Sequence, residues 1–201
     1  MSQPTGPMGA LRKYARPRPV VERCQLCGRE LPPGHRHLLD LASRDLACSC
    51  DPCALLFVGQ NGAKFRAVPR DGRLLPDFVL TDEQWDHLRT PINLAFFVRR
   101  GDGRAVAFYP SPAGATASDL PAGAWDELTA ANPVLGDFEP DVEALLVYRV
   151  RQTRDYFRAP IDACYELVGL VRSRWRGLTG GSDVWTEIDG FFARAKERWY
   201  A

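Results

Sequence analysis

The fold of the N-terminal part is decided by Cys24-Gln25-Leu26-Cys27-Gly28, answered further on by Cys48-Ser49-Cys50-Asp51-Pro52-Cys53. Two CxxC pairs separated by 22 residues have the spacing of a four-thiolate metal site, because each CxxC turn brings two sulfurs to one ion. Gly28 follows the first pair, where a tight knuckle calls for a positive φ. Between the pairs, residues 37–41 and 44–48 read as two short strands with Ala42-Ser43 at the turn. Such a hairpin returns the second knuckle to the first. Asp51-Pro52 then starts a helical turn that runs into Ala54-Leu55-Leu56-Phe57. Knuckle, hairpin, knuckle and helix start is the order of a zinc-ribbon or treble-clef module. A segment this small cannot bury enough apolar surface to fold alone, and a bound metal supplies the missing stability.

The ligand set this spacing favours is Cys24, Cys27, Cys50 and Cys53, holding one zinc ion. Cys48 is an alternate for Cys50, and His35 and His37 are alternates if the ion is shared differently. The blander reading of His35-Arg36-His37 is a solvated or partner-contacting segment. Iron is the second choice of metal, since four thiolates also hold a single iron, as in rubredoxin, whose first knuckle is likewise CxxCG. The second knuckle here ends Cys53-Ala54 and lacks the glycine rubredoxin has at that place.

Outward from the cysteines the chain divides by composition. Residues 1–20 carry four prolines and few large apolar side chains, and read as a disordered tail. Residues 21–58 are the cysteine module. Residues 59–77, rich in Gly, Pro and Asn/Asp-Gly turns, read as a linker with one short strand at 64–68. Residues 78–201 read as an α/β domain, so the fold class is α+β: a small zinc-ribbon or treble-clef-like module, then a short sheet and a C-terminal helical hairpin. Thr81 and Gln84 form a capping box for a short helix that Pro91 ends. Residues 93–99 and 104–109 flank Gly101-Asp102-Gly103 as a β-hairpin. Residues 110–120 read as a loop, 121–131 as a helix with Trp125 and Leu128 inward, and 143–150 as a third strand. Ile161, Cys164, Val168, Val171, Trp175 and Leu178 recur at helical spacing, Gly180-Gly181 breaks the helix, and Ser182 caps the next one. Cys164 reads as a packed core thiol.

The chain has 201 residues and a net charge of +1. Up to Arg73 there are twelve Lys/Arg against six Asp/Glu, and beyond it the balance turns acidic. A basic N-terminal half suits a nucleic-acid-binding regulator, but the acidic second half argues against nucleic acid as the partner. The longest apolar runs, 54–58 and 94–98, fall far short of the ~20 residues of a membrane span. There is no secretory pattern either, so the expected location is the cytoplasm, where clustered cysteines favour metal over disulfides. No Ser/His/Asp order, P-loop, GxGxxG or HExxH is present. His87 sits on the short capped helix beside carboxylates that the helix dipole explains. The sequence leaves enzymatic activity open and leans away from it, because a closed thiolate set offers no catalytic position.

Cys24 to Phe57, with Leu31-Pro32 and Gly34-His35-Arg36-His37-Leu38, resembles a family of uncharacterised actinobacterial proteins. So do Ala159 to Gly169, Trp175 to Gly181 and Phe191-Phe192. This is a domain-of-unknown-function family encoded beside high-affinity nickel–iron hydrogenase subunits. The resemblance covers most of the chain beyond the first 20 residues. It implies an accessory role in hydrogenase assembly or function, with hydrogenase subunits as protein partners, and assigns no catalytic residue. The leading expectation is a non-enzymatic, zinc-binding adaptor whose C-terminal aromatic helices bind the partner. A rubredoxin-like electron carrier and a zinc-dependent nucleic-acid-binding regulator are the alternatives.

Overall fold

The structure, a computed structural model, describes residues 21–59, 63–177 and 180–200. The expected disordered tail, 1–20, lies outside the described residues, as does Leu178.

The hairpin expected between the cysteine pairs forms. Arg36–Asp40 (β1) and Leu46–Ser49 (β2) pair antiparallel, with His37 opposite Cys48. Asp51–Phe57 (α1) follows with Pro52 in its first turn. Phe65–Ala67 (β3) lies in the stretch read as a linker and pairs with the other edge of β1, giving a three-stranded sheet in the order β2-β1-β3. Six more strands make a second antiparallel sheet: Arg73–Leu74 (β4), Leu94–Arg99 (β5), Ala105–Ser111 (β6), Gly114–Asp119 (β7), Glu143–Tyr148 (β8) and Asp155–Pro160 (β9). Their order is β4-β9-β8-β5-β6-β7. The fold is α+β with two antiparallel sheets. The helices that cover the larger one are Asp82–His87 (α2), Ala124–Ala131 (α3), Ile161–Arg174 (α4) and Gly181–Trp199 (α5).

Strand alternation assigns each side of this sheet its own cover. Phe96, Val98, Leu146, Tyr148 and Phe157 point to the face where α4 and α5 pack through Cys164, Leu167, Ile188 and Phe192. Phe97, Leu145, Val147 and Tyr156 point to the other face, against Trp85 of α2, Leu128 of α3 and the Leu135–Phe138 turn. The central strand β8 is buried at every position, which is why it reads as a continuous apolar run. Thr81 and Gln84 cap α2 reciprocally, each side chain meeting the other's backbone N–H.

The sequence reading differs from the structure in several places, among them α4, which ends at Arg174 and leaves Trp175 as its C-cap. The sheet has six strands where a short sheet of three was expected. The stretch read as a loop holds β7, an edge strand of small and polar residues that pairs with β6 along six positions. Pro160 both closes β9 and caps α4, so the helix signal masked the strand before it. Gly180, not Ser182, caps α5. Its φ of 85° is left-handed, and a Cβ there would meet Val184 Cγ1 at 2.8 Å, so only glycine fits.

Module and sheet are joined by packing and by charge. Leu39 of β1 and Val68, just past β3, are part of the apolar cluster on the α4–α5 face. Asp141, 3% exposed and with a left-handed φ of 68°, sits just before β8. Its carboxylate accepts from Arg44 in the β1–β2 turn, from Arg66 of β3 at 3.1 Å and from the Gly101 amide at 3.2 Å. Arg66 also donates to the Pro140 carbonyl at 2.7 Å. One buried carboxylate thus fixes two arginines of the small sheet to the large one.

Candidate metal centre

Each knuckle is held by backbone hydrogen bonds. The Gly28 amide donates to the Cys24 carbonyl at 2.8 Å, closing a turn that Gly28 leaves with a φ of 74°. The Cys24 amide donates to the Arg29 carbonyl at 2.8 Å. In the second knuckle Cys50 is the N-cap of α1 and Cys53 lies in its first turn, where the Ala54 amide donates to the Cys50 carbonyl at 2.9 Å. Gln25 ties the knuckles together. Its amide donates to the Cys48 carbonyl at 2.9 Å, and its side-chain oxygen accepts from the Cys48 amide at 2.7 Å.

These constraints bring Cys24, Cys27, Cys50 and Cys53 together, with all four sulfurs within 4.8 Å of one another. The Cys27 and Cys50 sulfurs are 3.7 Å apart. A tetrahedral tetrathiolate with metal–sulfur bonds of about 2.3 Å puts its sulfurs about 3.8 Å apart, whereas a disulfide needs about 2.05 Å. None of the six cysteines is in a disulfide. The four sulfurs are therefore close enough to hold one metal ion. Burial pushes the Cys24 thiol up, but amides of Cys50, Leu26 and Cys27 and the Cys27 thiol overcompensate and hold it down at about 6. Burial and the neighbouring Cys50, Cys27 and Cys24 sulfurs push Cys53 up to about 12. The packed sulfurs thus move Cys24 and Cys53 in opposite directions, and a cation placed among them would favour the thiolate of each. Besides cysteines, Leu31 is the one buried apolar side chain of the cluster, with Leu26 packed at its edge.

The alternates fall elsewhere. Cys48, His35 and His37 form a separate group, with one ligand atom of each within 4.8 Å of the others. Within His35-Arg36-His37 the His35 side chain is the buried one, 6% exposed against 38% for Arg36 and 30% for His37. His37 Nδ1 is 2.7 Å from Asp162 in the first turn of α4. That hydrogen bond, opposed by burial, raises the His37 pKa. The partners are 125 residues apart, and nothing in the sequence signals the contact. His87 pairs with Glu127 at 3.3 Å on the surface. Cys164 is fully buried, which pushes its thiol up and leaves it unreactive.

The aromatics of the C-terminal helices, expected as a docking surface, face the core. Phe192 stacks on Tyr148 with ring centres 4.1 Å apart, and Trp199 packs edge-on against Phe157 at 5.8 Å. The exposed apolar side chains cluster on α1 instead, as Leu55, Leu56 and Phe57. Among the described residues no helix is long and apolar enough to cross a membrane.

The match to a family model spans residues 23–199, both knuckles and both C-terminal helices included. The chain belongs to DUF5947, a family of unknown function. No curated protein and no solved structure matches it. The expected membership in a family of unknown function therefore holds for this DUF5947 chain, and the family match itself says nothing of a hydrogenase.

Proposed function

We propose that this chain is a non-enzymatic accessory protein in which Cys24, Cys27, Cys50 and Cys53 hold one structural zinc ion and the module so formed docks on a protein partner. The observation that carries the reading is the convergence of four cysteine sulfurs in a cluster whose one buried apolar side chain besides cysteine is Leu31. Four protein ligands close a zinc site, whereas a catalytic zinc keeps a position for water or substrate. The ion's work is then mechanical. It fixes the start of α1, from which Leu55 and Phe57 project into solvent, and exposed apolar side chains grouped this way suit a protein contact. The resemblance noted in the sequence makes nickel–iron hydrogenase subunits the partner class to test.

The test has two arms. Metal analysis of the purified chain should find zinc, and Cys24→Ser should lower the count by one ion. A pull-down from cells that make the hydrogenase should retain its subunits, and Leu55→Asp with Phe57→Asp should abolish retention while the metal content stays unchanged. Iron in place of zinc, with the red colour of a ferric tetrathiolate, would replace the adaptor with an electron carrier. Failure to retain the subunits, together with normal hydrogenase maturation when the chain is deleted, would remove the hydrogenase role.

A further inference from the structure

The histidines and the extra cysteine that the four-thiolate set leaves over are not scattered. His35 immediately precedes β1 and His37 is its second residue. Cys48 is the direct cross-strand partner of His37 on β2. The two rings meet edge to face with centres 4.9 Å apart, and one ligand atom from each of the three residues lies within 4.8 Å of the others.

The outer hydrogen bonds are those of metal-bound imidazoles. His35 Nδ1 faces the Pro32 carbonyl at 3.2 Å and the Glu22 carboxylate at 3.4 Å. His37 Nδ1 faces the Asp162 carboxylate at 2.7 Å. An N–H on each Nδ1 satisfies these acceptors and leaves each Nε2 as a bare lone pair. Ligating histidines almost always engage their second nitrogen with a carboxylate or a backbone carbonyl in this way. His35 Nε2 is buried and has no hydrogen-bond partner among the described residues, although its side chain is only 6% exposed. A buried polar atom left without a partner costs about 1–3 kcal/mol, so the site wants an acid at that position.

We propose that His35 Nε2, His37 Nε2 and Cys48 Sγ form a second metal site, separate from the four cysteines, for a divalent late transition ion of the zinc type. Imidazole and thiolate are the ligands such ions prefer. Three protein ligands are one short of a closed set. The three residues line a cavity of about 510 Å³ shared with Asp162 and Glu166, so a fourth ligand can enter from solvent. Asp162 is a positioning residue: it sets the tautomer and direction of His37 from the first turn of α4.

Cobalt(II) is the probe. The full chain is dialysed against it, the bound metal is counted, and the visible absorption of the four-thiolate cobalt in the same sample reports that the module is folded. Two cobalt ions per chain are expected. His35→Ala, His37→Ala and Cys48→Ser should each reduce the count to one and leave the four-thiolate absorption in place. Asp162→Asn should keep two ions at saturation but weaken the second by about 10–100-fold. One ion per chain in the parent protein, or two ions that survive the histidine substitutions, overturns the proposal. Should a histidine variant also lose the four-thiolate absorption, Asp162→Asn decides, and an unchanged second affinity overturns it. Loss of metal from the four cysteines bears on the adaptor reading and is counted separately.

Discussion

The cysteine module and the six-stranded sheet solve the same problem with different means. The sheet buries phenylalanines, leucines and valines on both faces, and helices cover each side. Around its sulfurs the module buries Leu31 and packs Leu26 alongside, while Leu39 of β1 belongs to the core it shares with the large sheet. Apolar area stabilises by about 25 cal/mol per Å² removed from water, and the cysteine cluster has little of it. What it lacks in area, the proposed metal–thiolate centre would supply as bonds. On that proposal the comparison teaches that stability in this chain has two currents, one that depends on solvent and temperature and one that depends on an ion.

The largest effect expected from that contrast is metal removal. Cys24→Ser, or a strong chelator, should abolish a stabilisation on the order of 10 kcal/mol. Hydrogen exchange should show β1 and β2 losing protection while β5 and β8 keep theirs. Equal loss in both would break the comparison. Next is the joint between the two regions. Asp141→Asn removes the charge that Arg44 and Arg66 share, and asparagine tolerates the left-handed backbone there. The guanidiniums are partly solvated, so about 3 kcal/mol is expected, the low end for breaking a buried pair, read from urea unfolding. Gly72→Ala probes the packing of α5 at the sheet edge. A Cβ at Gly72 would lie 2.6 Å from the Trp199 ring and 2.8 Å from the Arg158 carbonyl oxygen. Overpacking should cost about 2 kcal/mol, again by denaturant titration, with metal content unaffected.

The smallest effect is the pH response of the sheet. Burial, and then the hydrogen bond to Asp189, hold the Tyr148 phenol above its ordinary pKa of 10. A raised pKa means stability that is complete below the unfolded value and lost as pH climbs through the folded one. Tyr148→Phe should therefore cost about 1.5 kcal/mol at pH 8. Above pH 10 the gap to the parent protein should narrow in thermal unfolding. A gap that widens with pH would contradict the assigned direction.

What was legible in the sequence was local. The two CxxC turns, the hairpin between them, the capping box at Thr81 and the Gly101–Gly103 turn each declare themselves within a few residues, because each is set by short-range sterics or by one side chain meeting a nearby amide. The strand β7 was not legible, since Gly114–Asp119 has weak strand propensity and is extended because β6 offers it a partner. Tertiary partners were equally silent. Nothing near His37 names Asp162, and nothing near Arg44 names Asp141. The choice between Cys48 and Cys50 stood open in the sequence because CxC and CxxC overlap there. The structure groups Cys50 with Cys24, Cys27 and Cys53, and Cys48 with the histidines, a separation made by the pairing register of β1 and β2.

The contact between His37 and Asp162 also has a consequence for how the chain is born. Translation runs at about 5–20 residues per second. The 125 residues between these partners therefore take roughly 6–25 s to emerge at that pace. All four cysteines have been made by residue 53, long before α4 exists. A nascent chain can thus close its knuckles around an ion first, and present β1 as a finished surface onto which the later helices settle.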